Sequence, residues 1–289
     1  MLDRTTIHLD SPLSIPFRNE RGLILFDGLT PDGKKLNVEL DTCTSPNAVR
    51  TGLALDCGWP KGNSVKSSGL LSECSEPAFE VEIPEFNIGD LVINNLFCQT
   101  DPLDGPVNVD VMLGERFLRD VVVQVSFAEN RVAFYRPGDW RPPRETPGNT
   151  LLNLSLEVGV LPSLSELVLI DRKFAAPLAL LDTGFNGSML LSYAFAEFAG
   201  LLPDSEDAES LEAGGYGGPA TLQQITVEHL AIGKFEFNHV TAYCPSALSS
   251  ESPLSNPMWI NIGTGLLSKF KVTWDIPGHR FALEKSGSD

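Results

Sequence analysis

The chain contains two copies of one sequence pattern, and this duplication most constrains what it can fold into. The segment KKLNVELDTCTSPNAV contains Asp41 and the segment FAAPLALLDTGFNGSML contains Asp182, each directly after an apolar, strand-like stretch. An apolar segment with a glycine follows each copy, Gly114 in DVMLGERFL and Gly263 in INIGTGLL. The aspartates lie 141 positions apart and the glycines 149. We therefore expect two related lobes, each offering one carboxyl group at the end of a buried strand.

Short apolar segments separated by turn signals recur along the chain and indicate an all-β architecture with little helix. In each half a predicted hairpin leads into the aspartate, and a less regular hairpin pattern follows, ending in an Ile-Gly step at Ile88 or Ile232. Strands are predicted at 22–26, 36–40, 167–170 and 177–181, and a short helix at 192–201.

A proline-rich segment separates the two copies. Residues 136–149, RPGDWRPPRETPGN, contain four prolines and two glycines between apolar strands. Proline removes hydrogen-bond donors and stiffens the chain, so this segment is typical of an extended linker. The sequence therefore predicts an N-terminal lobe at 1–140 and a C-terminal lobe at 141–289, in pseudo-symmetric arrangement around a cleft.

The charge balance argues against polyanionic partners. The formal net charge is −17, from 38 acidic and 21 basic side chains, and the basic residues do not cluster. Such a chain repels phosphate backbones and anionic membranes, so we expect neither nucleic acid nor membrane as a partner. No run of 18 apolar residues and no apolar leader is present, which favours a cytoplasmic location.

The cysteines and histidines show no metal-binding spacing. The five cysteines, at 43, 57, 74, 98 and 244, form no CxxC pair, and their odd number is typical of reduced thiols, with at most two disulfides. The four histidines are also scattered. We therefore expect no metal site.

At the level of motifs, the chain resembles the retropepsin-like and pepsin-like aspartic proteases. The order of strand, Asp-Thr, flap-like hairpin, apolar-apolar-Gly and final strands occurs twice. LLDTGFNGSMLLS and IGTGLLSKFKVTWD resemble the prokaryotic DTGF subgroup, whereas ELDTCTS and MLGERFLRDVVVQVSF match less closely. The resemblance covers most of residues 20–135 and 150–285. It implies a catalytic pair formed by Asp41 and Asp182.

The same resemblance assigns supporting roles to the active-site loops. Thr42 and Thr183, after the aspartates, would reach across to the backbone of the other lobe. Glycine normally follows because the turn is tight. Gly184 fits this pattern, but Cys43 departs from it, and we expect some backbone strain in the first loop.

Further positions follow from the resemblance. Thr44 would bond the outer oxygen of its carboxylate, whereas Phe185 at the matching position has no donor. Gly114 and Gly263 would lie on strands that thread beside the aspartate loops. Tyr216, in GGYGG, is the candidate for a mobile flap tip over the substrate.

Two neighbouring carboxyl groups have a chemical use that does not depend on family. They cannot both ionise cheaply, so they share one proton. The charged group can then take a proton from water while the other donates to a peptide carbonyl. We therefore predict a monomeric aspartic endopeptidase that acts on peptide or protein substrates without a cofactor.

The sequence leaves alternatives open. If Cys43 distorts the first loop, the cleft would bind peptides without cutting them. A dimer that joins two copies of the second lobe would also assemble a carboxyl pair. Carbohydrate cleavage uses paired carboxyls as well, but the expected aromatic subsites are not evident, so it ranks last.

Overall fold

A computed structural model describes residues 5–66, 69, 77–157, 161–165, 168–202, 210–215, 218–245 and 257–286. These residues form many strands and four short helices. The prediction of an all-β, two-lobed fold is confirmed.

Among its described residues, the first half contains twelve strands and two helices. In chain order they are β1 (Thr6–His8), β2 (Leu13–Pro16), β3 (Arg18–Glu20), β4 (Leu23–Leu29), β5 (Lys35–Leu40), β6 (Ala48–Arg50), α1 (Thr51–Asp56), β7 (Lys61–Val65), β8 (Ala78–Ile88), β9 (Leu91–Asp101), β10 (Val111–Leu113), α2 (Glu115–Leu118), β11 (Val122–Ser126) and β12 (Arg131–Tyr135).

The second half contains thirteen strands and two helices among the described residues. They are β13 (Asn149–Asn153), β14 (Ser155–Glu157), β15 (Leu161–Leu164), β16 (Val168–Ile170), β17 (Phe174–Ala175), β18 (Leu178–Leu181), β19 (Met189–Leu191), α3 (Tyr193–Ala199), β20 (Ser210–Gly215), β21 (Gly218–Ile232), β22 (Phe235–Pro245), β23 (Trp259–Ile262), α4 (Thr264–Leu267), β24 (Phe270–Asp275) and β25 (Arg280–Lys285).

Each half builds one large sheet, and the two sheets repeat the same strand order. In the first, β4, β5, β10, β6, β9, β8 and β7 are joined in succession; in the second, β15, β18, β23, β19, β22, β21 and β20 are. The directions also agree, because β5 is parallel to β10 as β18 is to β23. The sequence repeat is therefore a repeat of topology.

A third, six-stranded sheet joins the lobes; we call it the interlobe sheet. Its order is β13-β25-β24-β11-β12-β2, so three strands come from each half. At its centre β11 runs antiparallel to β24, with Gln124 opposite Thr273. These two residues are 149 positions apart, as the repeat requires, and the Gln124 amide donates to the Thr273 hydroxyl at 3.0 Å. The pseudo-twofold axis therefore passes through this pair.

One continuous apolar core extends through both halves. It includes Phe117 and Phe134 from the first half and Trp274 and Phe281 from the second, all with no exposed surface. In β12 and in much of β8 every second residue is buried, which is the period of a strand with one face on the core. The two lobes are therefore joined by packing as well as by the interlobe sheet.

The predicted elements near the aspartates are found with small shifts of their ends. The predicted strands at 36–40 and 177–181 are β5 and β18, and the predicted helix at 192–201 is α3. Ser192 caps this helix by accepting from the Phe195 amide, and Gly200 ends it with a left-handed φ of 67°. No helix or strand occupies 136–148, but the lobe boundary at residue 140 stays a prediction.

Within the part of the chain that the structure covers, no helix is both long and apolar enough to cross a bilayer.

A buried ion pair stabilises the β24–β25 turn, and its contribution to stability can be tested. Asp275, 1% exposed, accepts from Arg280 Nε at 2.6 Å and from the Gly278 amide at 2.9 Å. We expect Arg280→Ala to lower the free energy of unfolding by about 3 kcal/mol, because it leaves a buried carboxylate unpaired. Urea unfolding measures this loss.

The matched control for this variant is Arg131→Ala. Arg131 lies 149 positions earlier and bonds the exposed Ser14 rather than a buried acid. Its removal should cost less than about 1 kcal/mol. Equal losses in the two variants would contradict the role given to Asp275.

Candidate active site

Each aspartate follows the end of a strand and lies beside the parallel strand next to it: Asp41 follows β5 beside β10, and Asp182 follows β18 beside β23. The Asp41 amide donates to the Leu113 carbonyl of β10 at 3.0 Å, and the Asp182 amide donates to the Ile262 carbonyl of β23 at 2.9 Å. Both side chains therefore start from matching points of the two sheets.

Each carboxyl group accepts a backbone hydrogen bond from its own loop. Asp41 Oδ1 accepts from the Cys43 amide at 2.9 Å, and Asp182 Oδ1 accepts from the Gly184 amide at 2.8 Å. The Thr44 hydroxyl also donates to Asp41 Oδ2 at 2.6 Å. These donors point the two carboxyl groups in fixed directions, which is what an acid–base pair needs.

The Asp41 carboxyl group lies against the second loop, because a Cβ atom at Gly184 would overlap Asp41 Oδ2. The two carboxyl groups are close enough for each to shift the pKa of the other. Burial, followed by the negative charge of Asp41, raises the pKa of Asp182 to about 7. Burial also raises the pKa of Asp41, against the hydrogen bonds from Thr44 and Cys43. The pair therefore titrates as a unit and retains a proton at pH values where an isolated aspartic acid would be ionised.

Thr42 and Thr183 connect the two loops reciprocally. The Thr42 hydroxyl donates to the Leu181 carbonyl at 2.5 Å, and the Thr183 hydroxyl donates to the Leu40 carbonyl at 2.6 Å. Each hydroxyl also accepts from the other threonine's amide, at 3.0 and 3.1 Å. Both side chains are fully buried, so these bonds are shielded from water and fix one loop against the other.

Cys43 and Gly184 occupy matching places under different constraints. A side chain at Gly184 would fall on the Asp41 carboxyl group, so only glycine fits there. Cys43 is not among the residues with positive φ, so the expected backbone strain is not found. Its thiol lies 3.7 Å from the Leu181 carbonyl. Burial and the charges of Asp182 and Asp41 raise the pKa of this thiol well above its usual range, which keeps it neutral.

Gly114 and Gly263 lie where the loops cross the threading strands. A Cβ atom at Gly114 would overlap the Thr44 carbonyl, and one at Gly263 would overlap the carbonyls of Phe185 and Gly187. Their φ angles, −117° and −100°, are open to any residue, so close approach alone requires glycine here.

Sequence reasoning missed two buried polar residues beside the pair. Asn261, 1% exposed, donates from Nδ2 to Asp182 Oδ2 at 2.5 Å. Glu39, also 1% exposed, lies on β5 two residues before Asp41, which follows the end of that strand. Burial, then the charges of Asp41 and Asp182, raises its pKa well above the usual range. Aligning the two repeats in sequence singles out both residues, because each is polar where the other copy is apolar. Glu39 matches Leu180, and Asn261 matches Met112.

The remaining predicted features lie elsewhere or outside the described residues. Tyr216, the flap candidate, falls among the residues that are not described, as does Cys74. Cys43, Cys57, Cys98 and Cys244 are free thiols. In the described ranges, no group of three or more histidine, cysteine, aspartate or glutamate side chains is placed to hold a metal ion.

No protein-family model matches the sequence, and no curated protein sequence matches it. Solved structures are similar in fold. Basic 7S globulin from soybean aligns with a TM-score of 0.55 at 12% identity, over 96% of this chain and 95% of that one. An aspartic proteinase from Irpex lacteus aligns with a TM-score of 0.56 at 11% identity, over 96% and 98% of the two chains.

Conglutin gamma, a basic 7S globulin from lupine seeds, aligns with a TM-score of 0.51 at 11% identity, over 96% and 95% of the two chains. The chain therefore has the two-lobed fold of pepsin-like aspartic proteinases. That fold occurs in proteins named as a proteinase and in proteins named as globulins, so it does not by itself assign an activity. The narrower resemblance to the DTGF subgroup stays a prediction.

The close approach of Gly263 to the carbonyls of Phe185 and Gly187 can be tested by substituting Gly263 with alanine. We expect Gly263→Ala to lower the free energy of unfolding by about 2–3 kcal/mol, since its methyl group would push on backbone carbonyls that cannot move aside. Gly52→Ala is the control, because Gly52 is exposed in α1 and its nearest neighbouring atom would be 4.0 Å away. That change should be neutral or stabilise by up to about 1 kcal/mol. Thermal unfolding of both variants decides the matter.

We expect the buried Glu39 side chain to lower the free energy of unfolding, by an amount that depends on pH. Its Oε2 is buried without a hydrogen-bond partner, beside Leu25 and Met112 on the adjacent strands. We expect Glu39→Leu, which copies Leu180, to stabilise the protein by about 1–3 kcal/mol.

The sign with pH follows from the raised pKa of Glu39. In the unfolded chain a glutamate ionises at about pH 4.3, whereas native Glu39 stays neutral to a higher pH. The parent protein therefore loses stability as the pH rises from the unfolded pKa towards the native one. The gain in Glu39→Leu should therefore be larger at about pH 7 than at about pH 4. Exposed Glu236→Leu should change stability by about 0.5 kcal/mol or less at both. A pH-independent gain would disprove the assignment.

Proposed function

We propose that the protein is an aspartic endopeptidase in which Asp41 and Asp182 activate a water molecule between them. The observation that carries this proposal is the approach of the two aspartate loops, one from each lobe, in which the Asp41 carboxyl group lies against Gly184, two residues after Asp182. Each carboxyl group also shifts the pKa of the other. The raised pKa of Asp182, about 7, supports it, because the pair then holds one proton over the acid and near-neutral range.

The proposed chemistry follows from a pair with one proton. The ionised carboxylate takes a proton from the water molecule, whose oxygen bonds to the peptide carbonyl carbon. The protonated carboxyl gives its proton to the carbonyl oxygen, so the tetrahedral intermediate is neutral. When this intermediate collapses, the C–N bond breaks and the leaving nitrogen receives the proton that the first carboxylate took from water. One hydroxyl of the intermediate gives its proton back to the other carboxylate as the new C=O bond forms. No covalent enzyme intermediate forms, and no cofactor takes part.

The loop contacts support this role by holding the pair rigidly. The reciprocal Thr42 and Thr183 bonds join loops from different lobes, and the Thr44 hydroxyl orients Asp41. Preorganised donors of this kind need no rearrangement when the substrate reacts. Because one chain supplies both aspartates, we propose a monomer that binds an extended peptide or protein segment in the cleft.

A peptide-binding protein without catalysis is the second candidate. It is favoured by the departure at Cys43, which places a thiol where glycine is usual, and by the globulins that share the fold. In this case the cleft would still bind extended peptides, and the acidic pair would take no part in chemistry.

The experiment compares cleavage of denatured casein by the parent, Asp41→Asn, Asp182→Asn and the exposed control Asp10→Asn. We expect each active-site variant to lose activity by about 10³-fold or more, because each loses an acid–base group, whereas Asp10→Asn retains it. Parent activity should fall as pH rises above about 7, where the pair loses the one proton that it holds in the active form.

Two outcomes would reject the protease assignment. Equal cleavage by the parent and Asp182→Asn would remove the pair from the mechanism. The absence of products between about pH 3 and pH 8, together with saturable binding of a fluorescent peptide, would favour the binding candidate. Far-UV circular dichroism confirms that each variant is folded.

A further inference from the structure

The two loops differ in how the second oxygen of each aspartate is satisfied. In the first lobe the Thr44 hydroxyl donates to Asp41 Oδ2 at 2.6 Å. Phe185 holds the matching position in the second lobe, and its side chain has no donor. Asp182 is 6% exposed, so a carboxylate oxygen there needs a donor from the protein.

Asn261 supplies a donor from another element. It lies on β23, the threading strand, opposite Leu180 and two residues before Gly263. Its Nδ2 donates to Asp182 Oδ2 at 2.5 Å, and its own Oδ1 is buried without a hydrogen-bond partner. An amide that leaves one end unsatisfied in the interior costs free energy, so the bond to Asp182 is its main favourable interaction.

Comparison of the two repeats shows that the side-chain donor lies on the loop in the first lobe and on the threading strand in the second. Met112 matches Asn261, and its sulfur lies 3.8 Å from the Thr44 hydroxyl. The first lobe thus has a loop donor beside an apolar strand residue. The second has an apolar loop residue, Phe185, beside a strand donor.

The side chain of Phe185 explains why the loop residue cannot donate. Phe185 packs against a small apolar cluster that includes Leu190 and Trp259, and its ring lies against Gly187 and Gly263. A ring in this place fills the space next to the loop. The loop backbone reaches Asp182 Oδ1 through the Gly184 amide, and the strand supplies the side-chain donor to Oδ2.

We propose that Asn261 is a positioning residue that orients Asp182, taking in the second lobe the role that Thr44 takes in the first. A neutral amide keeps its N–H donors at every pH, so it favours the ionised form of Asp182 without titrating itself. It acts against burial and the charge of Asp41, the two causes that raise the pKa of Asp182. Asn261 therefore limits how far the pKa of Asp182 is raised.

The effect on catalysis depends on the proposed protease function, but the effect on the carboxyl groups does not. The test therefore begins with titration of the carboxyl carbons by NMR in protein labelled with ¹³C at the aspartate side chains. The Asp182 signal is identified by its loss in Asp182→Asn. The protein itself is the probe, so no substrate is needed.

The variants exchange the two lobe arrangements. Asn261→Met copies Met112 and removes the donor. Phe185→Thr alone adds a loop hydroxyl while keeping Asn261. The double variant Phe185→Thr/Asn261→Met reproduces the first-lobe arrangement in the second lobe. Asn261→Ala, which adds no volume, replaces Asn261→Met if methionine prevents folding, as judged by circular dichroism.

We expect Asn261→Met and Asn261→Ala to raise the pKa of Asp182, because the ionised form has lost a donor. The value of kcat/KM for a peptide should fall about tenfold, with its pH profile displaced upwards. Phe185→Thr should titrate like the parent, and the double variant should return towards the parent in both measurements. A purely structural role would change the melting temperature without moving the titration.

An unchanged Asp182 titration in the folded Asn261 variants would overturn the proposal. Failure of the double variant to lower the raised pKa would overturn the exchange of roles between loop and strand. If the parent and Asp182→Asn prove equally inactive on peptides, the protease function falls, and the titration still decides the role of Asn261.

Discussion

Four buried hydrogen bonds centred on Thr42 and Thr183 hold the arrangement of the site together. Each threonine side chain donates to a carbonyl of the other lobe and accepts from the other threonine's amide. A buried hydrogen bond contributes about 1 kcal/mol, and an orphaned partner costs about 1–3 kcal/mol. Two carboxyl groups repel once both ionise. Together with the interlobe sheet and the shared core, these bonds hold the loops that carry Asp41 and Asp182 close together against that repulsion.

The scaffold is symmetric, but the chemistry around the pair is not. The sheets, the threading glycines and the central Gln124–Thr273 contact all follow the pseudo-twofold axis. The polar neighbours break it, since Glu39 has no acidic counterpart and Asn261 no amide counterpart in the other lobe. Two carboxyl groups in different surroundings acquire different proton affinities, which suits an acid and a base better than two identical groups would.

Much of the fold was predictable because its signals are local. The strands before Asp41 and Asp182 read as apolar runs ending in Asp-Thr, and α3 has a serine cap and a terminal glycine. The backbone strain expected at Cys43 is not found, because Cys43 has no left-handed φ. In the matching loop of the other lobe, glycine is needed for space. At Gly184 the space is taken by the Asp41 carboxyl group. That contact joins residues 143 positions apart, as Gly184 and Asp41 are, and no local pattern encodes it.

The sequence by itself determined the duplication, the all-β class and the identity of the two aspartates, because each depends on residue type and short spacing. The tertiary structure alone decided which polar groups surround them. Asn261 reaches Asp182 across 79 positions, and Glu39 approaches the Asp182 charge from the other lobe. These contacts arise from strand register and from the packing of one lobe on the other. Both are set by the whole core rather than by any one segment.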